Sequence, residues 1–173
     1  MISQKIAGYV VNRKLKEKQN SELSFTGFFK KSFNFFVLMP DDEKDFNSAM
    51  DVLHLLDSNE KHFKILTHDY RLSLLPQKFR PGVIDYGIDD VTKLKLPSKD
   101  LIEKLQEMNF DIIIDLNRNE NLFCSYSANV ADAQVRIGMR KSGADKYYNF
   151  QYRNSNDNSE IFYKNFLNCL QMF

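Results

Sequence analysis

The chain has 173 residues, which is enough for one α/β domain with a substantial core and too few for two such domains. Lysine and arginine together number 24 against 23 aspartate and glutamate, so the net charge is +1. This balance excludes the broad basic surface of a general nucleic-acid-binding protein, and any site for an anion must be local.

The cysteine pattern and the hydropathy narrow the class of protein further. Cys124 and Cys169 show neither CxxC spacing nor a neighbouring histidine, which favours free thiols over a disulfide or a metal site. No run of about 18 apolar residues occurs, so no transmembrane span is predicted. The first residues lack the apolar core and cleavage site of a signal peptide, and a cytoplasmic location is expected.

The first segment is predicted to be a basic helix over residues 3–18, followed by a connector to residue 31. Ile6, Val10 and Leu15 mark one side of this helix, and most of its other side is lysine and arginine. Such a helix lies on the protein surface, on an anionic membrane or on a partner. The predicted division is therefore a helix and connector over 1–31 and a Rossmann-like α/β domain over 32–173.

From residue 33 onwards, predicted strands and helices alternate. Short apolar runs predict strands at 33–39, 63–67, 83–86, 110–114, 135–137 and 147–152. Apolar residues at helical spacing predict helices with apolar faces over 46–56, 101–108, 121–131 and 160–172, and one or two helical turns over 70–80. The predicted N-terminal caps are Asp41 or Asp42, Ser98 and Ser159. This alternation predicts a single doubly wound, mainly parallel Rossmann-like sheet with an extra N-terminal helix.

Ligands of such sheets bind beyond the carboxyl ends of the strands, so polar residues at these strand ends are the candidate site residues. Asp115 leaves the central predicted strand, where it either contacts a ligand or ties down the next turn through local hydrogen bonds. The asparagines that follow, Asn117, Asn119 and Asn121, are typical turn formers. His68 is the histidine at a strand exit, where it is either an acid or base or a hydrogen-bonded surface residue.

Basic residues gather near the strand predicted over 135–137. Arg136, Arg140, Lys141 and Lys146 form either a phosphate site or a solvated face. The glycine-rich loops GxGxxG and GxxxxGK[ST] are absent, as are GxSxG and HExxH. The sequence therefore predicts no cofactor and no metal site.

Two motifs, DIIIDL at residues 111–116 and VRIG at residues 135–138, flank the helix predicted over 121–131. Together they resemble the late part of the N-terminal domain of the bacterial ADP-heptose lipopolysaccharide heptosyltransferases, glycosyltransferase family 9. In that family a strand ends in Asp-Leu, a helix rich in serine and alanine follows, and the next strand carries Arg-Ile-Gly. The matching residues are Asp115 and Leu116, then Ser125, Ser127 and Ala128, then Arg136, Ile137 and Gly138.

The region after the first predicted strand resembles the same family. Asp45 takes the place of the family aspartate that acts as general base on the acceptor hydroxyl, which requires a carboxylate within hydrogen-bond reach of that oxygen. The pattern departs from the family at three positions, where Lys44 stands for a glycine, Asp51 for a proline and Met39 for a basic residue. The resemblance implies Asp45 as the catalytic residue of any transfer reaction.

The resemblance covers residues 33–171 and implies half of a GT-B architecture. That half is an acceptor-side domain, because the second domain of the family holds most of the sugar nucleotide and the resemblance ends before it. The residues predicted to contact the acceptor are Asp115, Asn117, Arg136, Arg140 and His68.

Three functions follow as hypotheses. The first is a stand-alone relative of the acceptor-side domain that does not catalyse alone and acts as a binding or assembly module. The second is the acceptor-binding subunit of a two-chain glycosyltransferase acting on a lipopolysaccharide-like acceptor. The third is a membrane-surface adaptor that uses the basic helix. The expected partners are a donor-binding domain or a second copy on an exposed apolar face, and a sugar or lipid-phosphate acceptor.

Overall fold

Six strands and five helices make up the part of the chain that the computed structural model describes, residues 26–173. The strands are β1 (Asn34–Leu38), β2 (His62–His68), β3 (Val83–Tyr86), β4 (Asn109–Asp115), β5 (Asp132–Met139) and β6 (Phe150–Tyr152). The helices are α1 (Phe28–Lys31), α2 (Glu43–Ser58), α3 (Lys99–Gln106), α4 (Leu122–Val130) and α5 (Ser159–Gln171). Short 3-10 helices cover Asp69–Leu74, Gln77–Gly82, Ile88–Asp90 and Ala144–Lys146.

The basic helix predicted over residues 3–18 lies outside the described residues, and so does its proposed role at a membrane. Within residues 26–173, no helix combines the length and the apolar character needed to cross a bilayer. The predicted connector ends in α1, a single helical turn that buries Phe28 and Phe29.

The strands form one sheet in the order β3-β2-β1-β4-β5-β6, and each neighbouring pair is parallel. The chain moves outward from β1 through β2 and β3, then returns to the other side of β1 with β4. This is the predicted doubly wound, Rossmann-like arrangement, and the fold-class prediction is confirmed. The direction of winding reverses between β1 and β4, so a crevice is expected at the carboxyl ends of these two strands.

The central strand β1 is buried on both faces, which explains its uninterrupted apolar sequence. Phe35 and Val37 pack against α2 and α5 on one side of the sheet. Phe36 and Leu38 pack against the elements on the other side, which include α3 and α4. Two apolar layers therefore hold the sheet, and the loops at its carboxyl edge are carried on a rigid base.

Polar side chains cap the four longer helices. Asp42 accepts from the Asp45 backbone N–H, and Asn121 accepts from that of Cys124, at 3.0 and 2.9 Å. Ser98 caps α3 as predicted. The predicted Ser159 cap of α5 is wrong by one residue, because Asn158 accepts from the backbone N–H of Ile161 at 3.0 Å.

The last strand, β6, is shorter than predicted. The aromatic run 147–152 suggested one strand, but Tyr147 and Tyr148 precede β6 and follow the 3-10 turn. Tyr148 is buried against the sheet directly over Gly138, where any Cβ would overlap its ring. Glycine at the end of the Arg-Ile-Gly motif is therefore required by a close ring contact.

Candidate functional site

The loops at the carboxyl edge of the sheet enclose three neighbouring depressions that share Glu120 and Asn121. The main cleft has a volume of about 510 Å³ and lies between the ends of β1 to β3 and the start of α4. A smaller depression of about 130 Å³ reaches Asp45, and another of about 320 Å³ lies beside Lys141. A groove of about 420 Å³ at the opposite, amino edge is lined largely by apolar and amide side chains, away from the strand ends where ligands bind.

Asp115 is fully buried at the end of β4, with both carboxylate oxygens engaged. Oδ1 accepts from the backbone N–H and the side-chain amide of Asn117, at 3.0 and 2.7 Å. Oδ2 accepts from Lys141 Nζ at 3.2 Å and from the hydroxyl of Tyr148. Of the two sequence interpretations, the local tie to the following turn is the one that these contacts form.

The donors to Asp115 are themselves held in place. Burial, reinforced by the charge of Asp115, raises the pKa of the Tyr148 phenol well above its ordinary value, so this hydroxyl remains a donor. Lys141 also donates to the backbone carbonyls of Asn117 and Asn119, at 3.0 and 3.1 Å. Asp115 and Lys141 therefore form a structural unit that fixes the loops after β4 and β5.

Asp45, the residue implied as general base, is buried in a second charged unit. Its Oδ1 accepts from Arg118 Nη1 at 3.2 Å and from Ser159 Oγ at 2.7 Å. Its side chain is 6% exposed and that of Arg118 is 19% exposed. Arg118 also donates to the carbonyls of Asn156 and Asp157 and lies 4.6 Å from the centre of the Phe162 ring. Asp45 therefore joins the start of α2 to the start of α5.

Asp41, in the loop after β1, presents its carboxylate to the main cleft. Asn117 Oδ1 accepts from the backbone N–H of Asp41 at 3.2 Å and so positions it. Its carboxylate accepts from Asn121 Nδ2 at 2.6 Å and from the Tyr86 hydroxyl at 3.3 Å. Arg71 donates to the backbone carbonyl of Asp41, and the carboxylate itself has no ion pair among the described residues.

The environment of this carboxyl favours its protonated form. Although Asp41 as a residue is exposed, its carboxyl lies between Tyr86 and Asn121. Loss of hydration raises the pKa of Asp41 above its ordinary value and outweighs the hydrogen bond from Tyr86, which acts in the opposite direction. The charges of Arg71 and Asp115 act in opposite directions on this pKa, that of Arg71 lowering it and that of Asp115 raising it, and burial decides the direction of the shift. Asp41 is thus a carboxylate of perturbed pKa in a cleft, as is common in functional sites.

His68 lies on the wall of the same cleft, at the strand exit where the sequence placed it. Its Nδ1 is 2.5 Å from Asp69 Oδ1. Its ring lies between those of Tyr70 and Tyr86, with centroid distances of 4.3 and 5.0 Å. A histidine whose Nδ1 bonds a carboxylate has its Nε2 available as a proton acceptor or donor.

The two arginines predicted to contact an acceptor are not brought into these depressions. The side chain of Arg136 is buried within β5 and turns back along the strand, where Nη1 donates to the Ala133 carbonyl at 2.9 Å. Arg140 is exposed, and its backbone N–H donates to the Tyr152 carbonyl at 2.8 Å. Of the basic group, Lys141 and Lys146 line the depression of about 320 Å³, whereas Arg136 and Arg140 do not, so the four residues do not share one site.

Sequence reasoning did not select Arg118 or Tyr86, although both contact the predicted carboxylates. Their partners lie far along the chain, 73 residues away for Arg118 and Asp45, and 45 for Tyr86 and Asp41. Asp41 was predicted as one of two possible caps of the helix after β1, and its position beyond a strand end is a weak signal of a ligand site. Within residues 26–173, no group of three or more His, Cys, Asp or Glu side chains is arranged to hold a metal ion.

Comparison with known proteins identifies the fold. No protein-family model and no curated protein matches the chain. Among solved structures, it is similar to the E. coli heptosyltransferase WaaC with ADP, with a TM-score of 0.55 and 15% sequence identity. The similarity covers 77% of this chain and 47% of the heptosyltransferase, so the matched region is about half of that enzyme. The chain therefore has a glycosyltransferase-like, Rossmann-like α/β fold.

We expect that loss of the Asp45–Arg118 pair lowers the stability of the folded chain substantially. Arg118→Met leaves a buried carboxylate without its counter-charge and frees the 156–157 carbonyls, which should lower the free energy of unfolding by about 2 to 4 kcal/mol. Urea denaturation measures this change. The matched control is Lys78→Met at the exposed Lys78–Asp57 pair, where the side chains are 54% and 46% exposed. Lys78→Met should lower the free energy of unfolding by less than about 1 kcal/mol. Equal losses for the two variants would contradict the structural role of the Asp45–Arg118 pair.

The raised pKa of Asp41 predicts how the contribution of this residue to folding stability changes with pH. The folded chain holds the Asp41 proton more tightly than the unfolded chain, so the contribution of this group to stability is greatest at low pH and falls as the pH rises through the raised pKa. The stability of Asp41→Asn minus that of the wild type should therefore become more positive from about pH 4 to about pH 7. Urea denaturation over this range, with the exposed Asp51→Asn as control, gives the difference. A decrease with rising pH would contradict the assignment.

Proposed function

We propose that this glycosyltransferase-like chain is an acceptor-side domain that binds a sugar-bearing molecule in the main cleft and does not transfer a glycosyl group alone. The observation that carries the proposal is the position of Asp45. The carboxylate expected to act as base is buried in contacts with Arg118 and Ser159, while the neighbouring Asp41 faces an open cleft.

The contacts of Asp45 argue against a role as general base in this conformation. A general base needs an oxygen within hydrogen-bond reach of the acceptor hydroxyl. Two hydrogen bonds hold Oδ1 of Asp45, and the side chain is only 6% exposed, so its burial leaves little room for an acceptor hydroxyl to reach the carboxylate. Breaking its pair with Arg118 would leave charges without partners in a largely buried place, which is costly.

The main cleft has the size and chemistry of a binding site for a small polar molecule. A volume of about 510 Å³ is within the range of ligand pockets. Its wall carries the rings of Tyr70, Tyr86 and Phe123, and Asp41 and Asn121 supply oriented polar groups. Sugars combine an apolar ring face with hydroxyl groups, and this combination of aromatic and polar side chains suits them.

The structural similarity supports a glycosyltransferase-like fold of about half the heptosyltransferase's length, and the choice of the acceptor side rests on the sequence motifs. The matched region is 47% of the heptosyltransferase chain, a share that corresponds to about one of two domains. The motifs that resemble the first domain of the family include Asp115 and Gly138, which pair on the neighbouring strands β4 and β5. In this proposal the donor nucleotide is bound by a second domain that acts as partner.

The proposal predicts sugar binding without turnover. The purified full chain, incubated with ADP-sugars and UDP-sugars, should release no nucleotide above a heat-inactivated control. Protein-observed NMR with simple methyl glycosides should show shifts around Asn121, and Asp41→Ala should weaken binding about tenfold. Asp57→Asn, far from the cleft on α2, is the control and should leave binding unchanged. Nucleotide release by the chain alone, or shifts that avoid the cleft, would refute the proposal.

A second candidate is the acceptor-binding part of a working glycosyltransferase completed by a donor-binding domain. The specific observation in its favour is the contact between His68 and Asp69, which orients an imidazole at the cleft wall. In this case His68 Nε2, and not Asp45, is the base that accepts the proton of the acceptor hydroxyl.

This candidate predicts different effects for the two proposed bases. In a complex with the donor-binding domain that supports transfer, His68→Gln should lower kcat by about a hundredfold or more. Asp45→Asn should act chiefly on stability and retain most of the kcat of the folded protein. If Asp45→Asn abolishes turnover while His68→Gln retains it, the assignment of His68 is wrong.

A further inference from the structure

Four aromatic rings form a continuous row along the main cleft. Tyr70, His68, Tyr86 and Phe123 follow one another with centroid distances of 4.3, 5.0 and 4.3 Å. Tyr70 is 61% exposed at the rim, whereas Tyr86 and Phe123 are nearly buried. Tyr70 presents most of the apolar ring surface, at the rim, and Tyr86 and Phe123 add the small exposed part of their rings that lines the cleft, a surface suited to the C–H face of a ring.

The charges around this surface are unevenly distributed. Asp41 and Glu120 line the cleft, against the single cation Lys95. No ion pair within residues 26–173 involves either of these carboxylates, and a carboxylate has about four acceptor positions, of which Asp41 uses two. The carboxylate of Asp41 therefore keeps acceptor capacity for the donors of a ligand.

The other neighbouring cations do not line the main cleft. The guanidinium of Arg71 lies against the Phe46 and Tyr70 rings and donates to the backbone carbonyl of Asp41, and its charge acts on the Asp41 carboxyl from outside the cleft wall. Lys141 is bound to Asp115. Arg118 is bound to Asp45 and to backbone carbonyls. A ligand carboxylate or phosphate in the main cleft would meet two carboxylates without an arginine fork to receive it.

We propose that the main cleft selects sugars without negative charge and prefers an amino sugar, whose ammonium group is bound by Asp41 with Glu120 nearby. This inference rests on the proposed function, because it specifies the sugar class that the cleft binds. The ring face packs on the aromatic row, and Asp41 accepts from the ammonium group. Charge, and not ring size, is the basis of selection against acidic sugars.

The test compares ligands of one ring shape that differ in charge. Methyl glycosides of glucosamine, glucose and glucuronic acid, and the same three in the galactose series, are titrated into the full chain near neutral pH and low salt. Protein-observed NMR gives each Kd. The amino sugar should bind about tenfold more tightly than the acidic sugar in at least one series, with the neutral sugar between them.

Two variants test the origin of the preference. Asp41→Asn should bring the Kd of the amino sugar to within about twofold of that of the neutral sugar. Glu120→Gln, at an exposed position, should reduce the same preference by a smaller factor. Asp57→Asn, on α2 far from the cleft, should leave all three Kd values unchanged.

The outcomes distinguish a failure of this inference from a failure of the proposed function. If acidic sugars bind as tightly as amino sugars or more tightly, charge selection is wrong while sugar binding stands. If amino sugars are preferred but neither variant reduces the preference, Asp41 and Glu120 are not its source and the inference is overturned. If no sugar of either series binds, the inference and the proposed function both fail.

Discussion

The positions of the loops at the carboxyl edge of the sheet depend on the buried carboxylate of Asp115. It ends β4 beside the switch point and is fully removed from solvent, a position that is unfavourable for a charge without donors. Asn117 supplies two donors, and Tyr148 and Lys141 supply one each. Because these donors come from the loops after β4 and β5, the hydrogen bonds that stabilise the carboxylate also fix both loops.

The shape of the main cleft follows from this arrangement. Asn117, held by Asp115, accepts from the backbone of Asp41, and the carboxylate of Asp41 is then positioned by Asn121 and Tyr86. An open carboxylate is thus oriented by a buried one through a continuous set of hydrogen bonds. Groups that bind a ligand need such support, since a side chain on an unsupported loop is not held in the orientation that binding requires.

Much of the fold was predictable from sequence, because apolar runs and helical spacing are local signals. The site was less so. The short predicted strand over 135–137 placed Arg136 near the carboxyl edge, but β5 continues to Met139 and leaves Arg136 within the strand. The pairing of Asp45 with Arg118 spans 73 residues and has no local signal. Asp115 was predictable as a turn-forming residue, because an aspartate bonded to the backbone two residues on is itself a local pattern.

Function depends on the site and not on the fold, and here two carboxylates near one strand end have opposite environments. Asp45 is neutralised by Arg118 and connects two helices. Asp41 has no ion pair among the described residues, and burial of its carboxyl raises its pKa and so disfavours the charged form. A domain that served only as a spacer would be more stable with a neutral residue at this position. A group whose charged form is held at a cost in stability, beside an aromatic wall, is typical of a binding surface, which is why the functional proposals centre on the cleft.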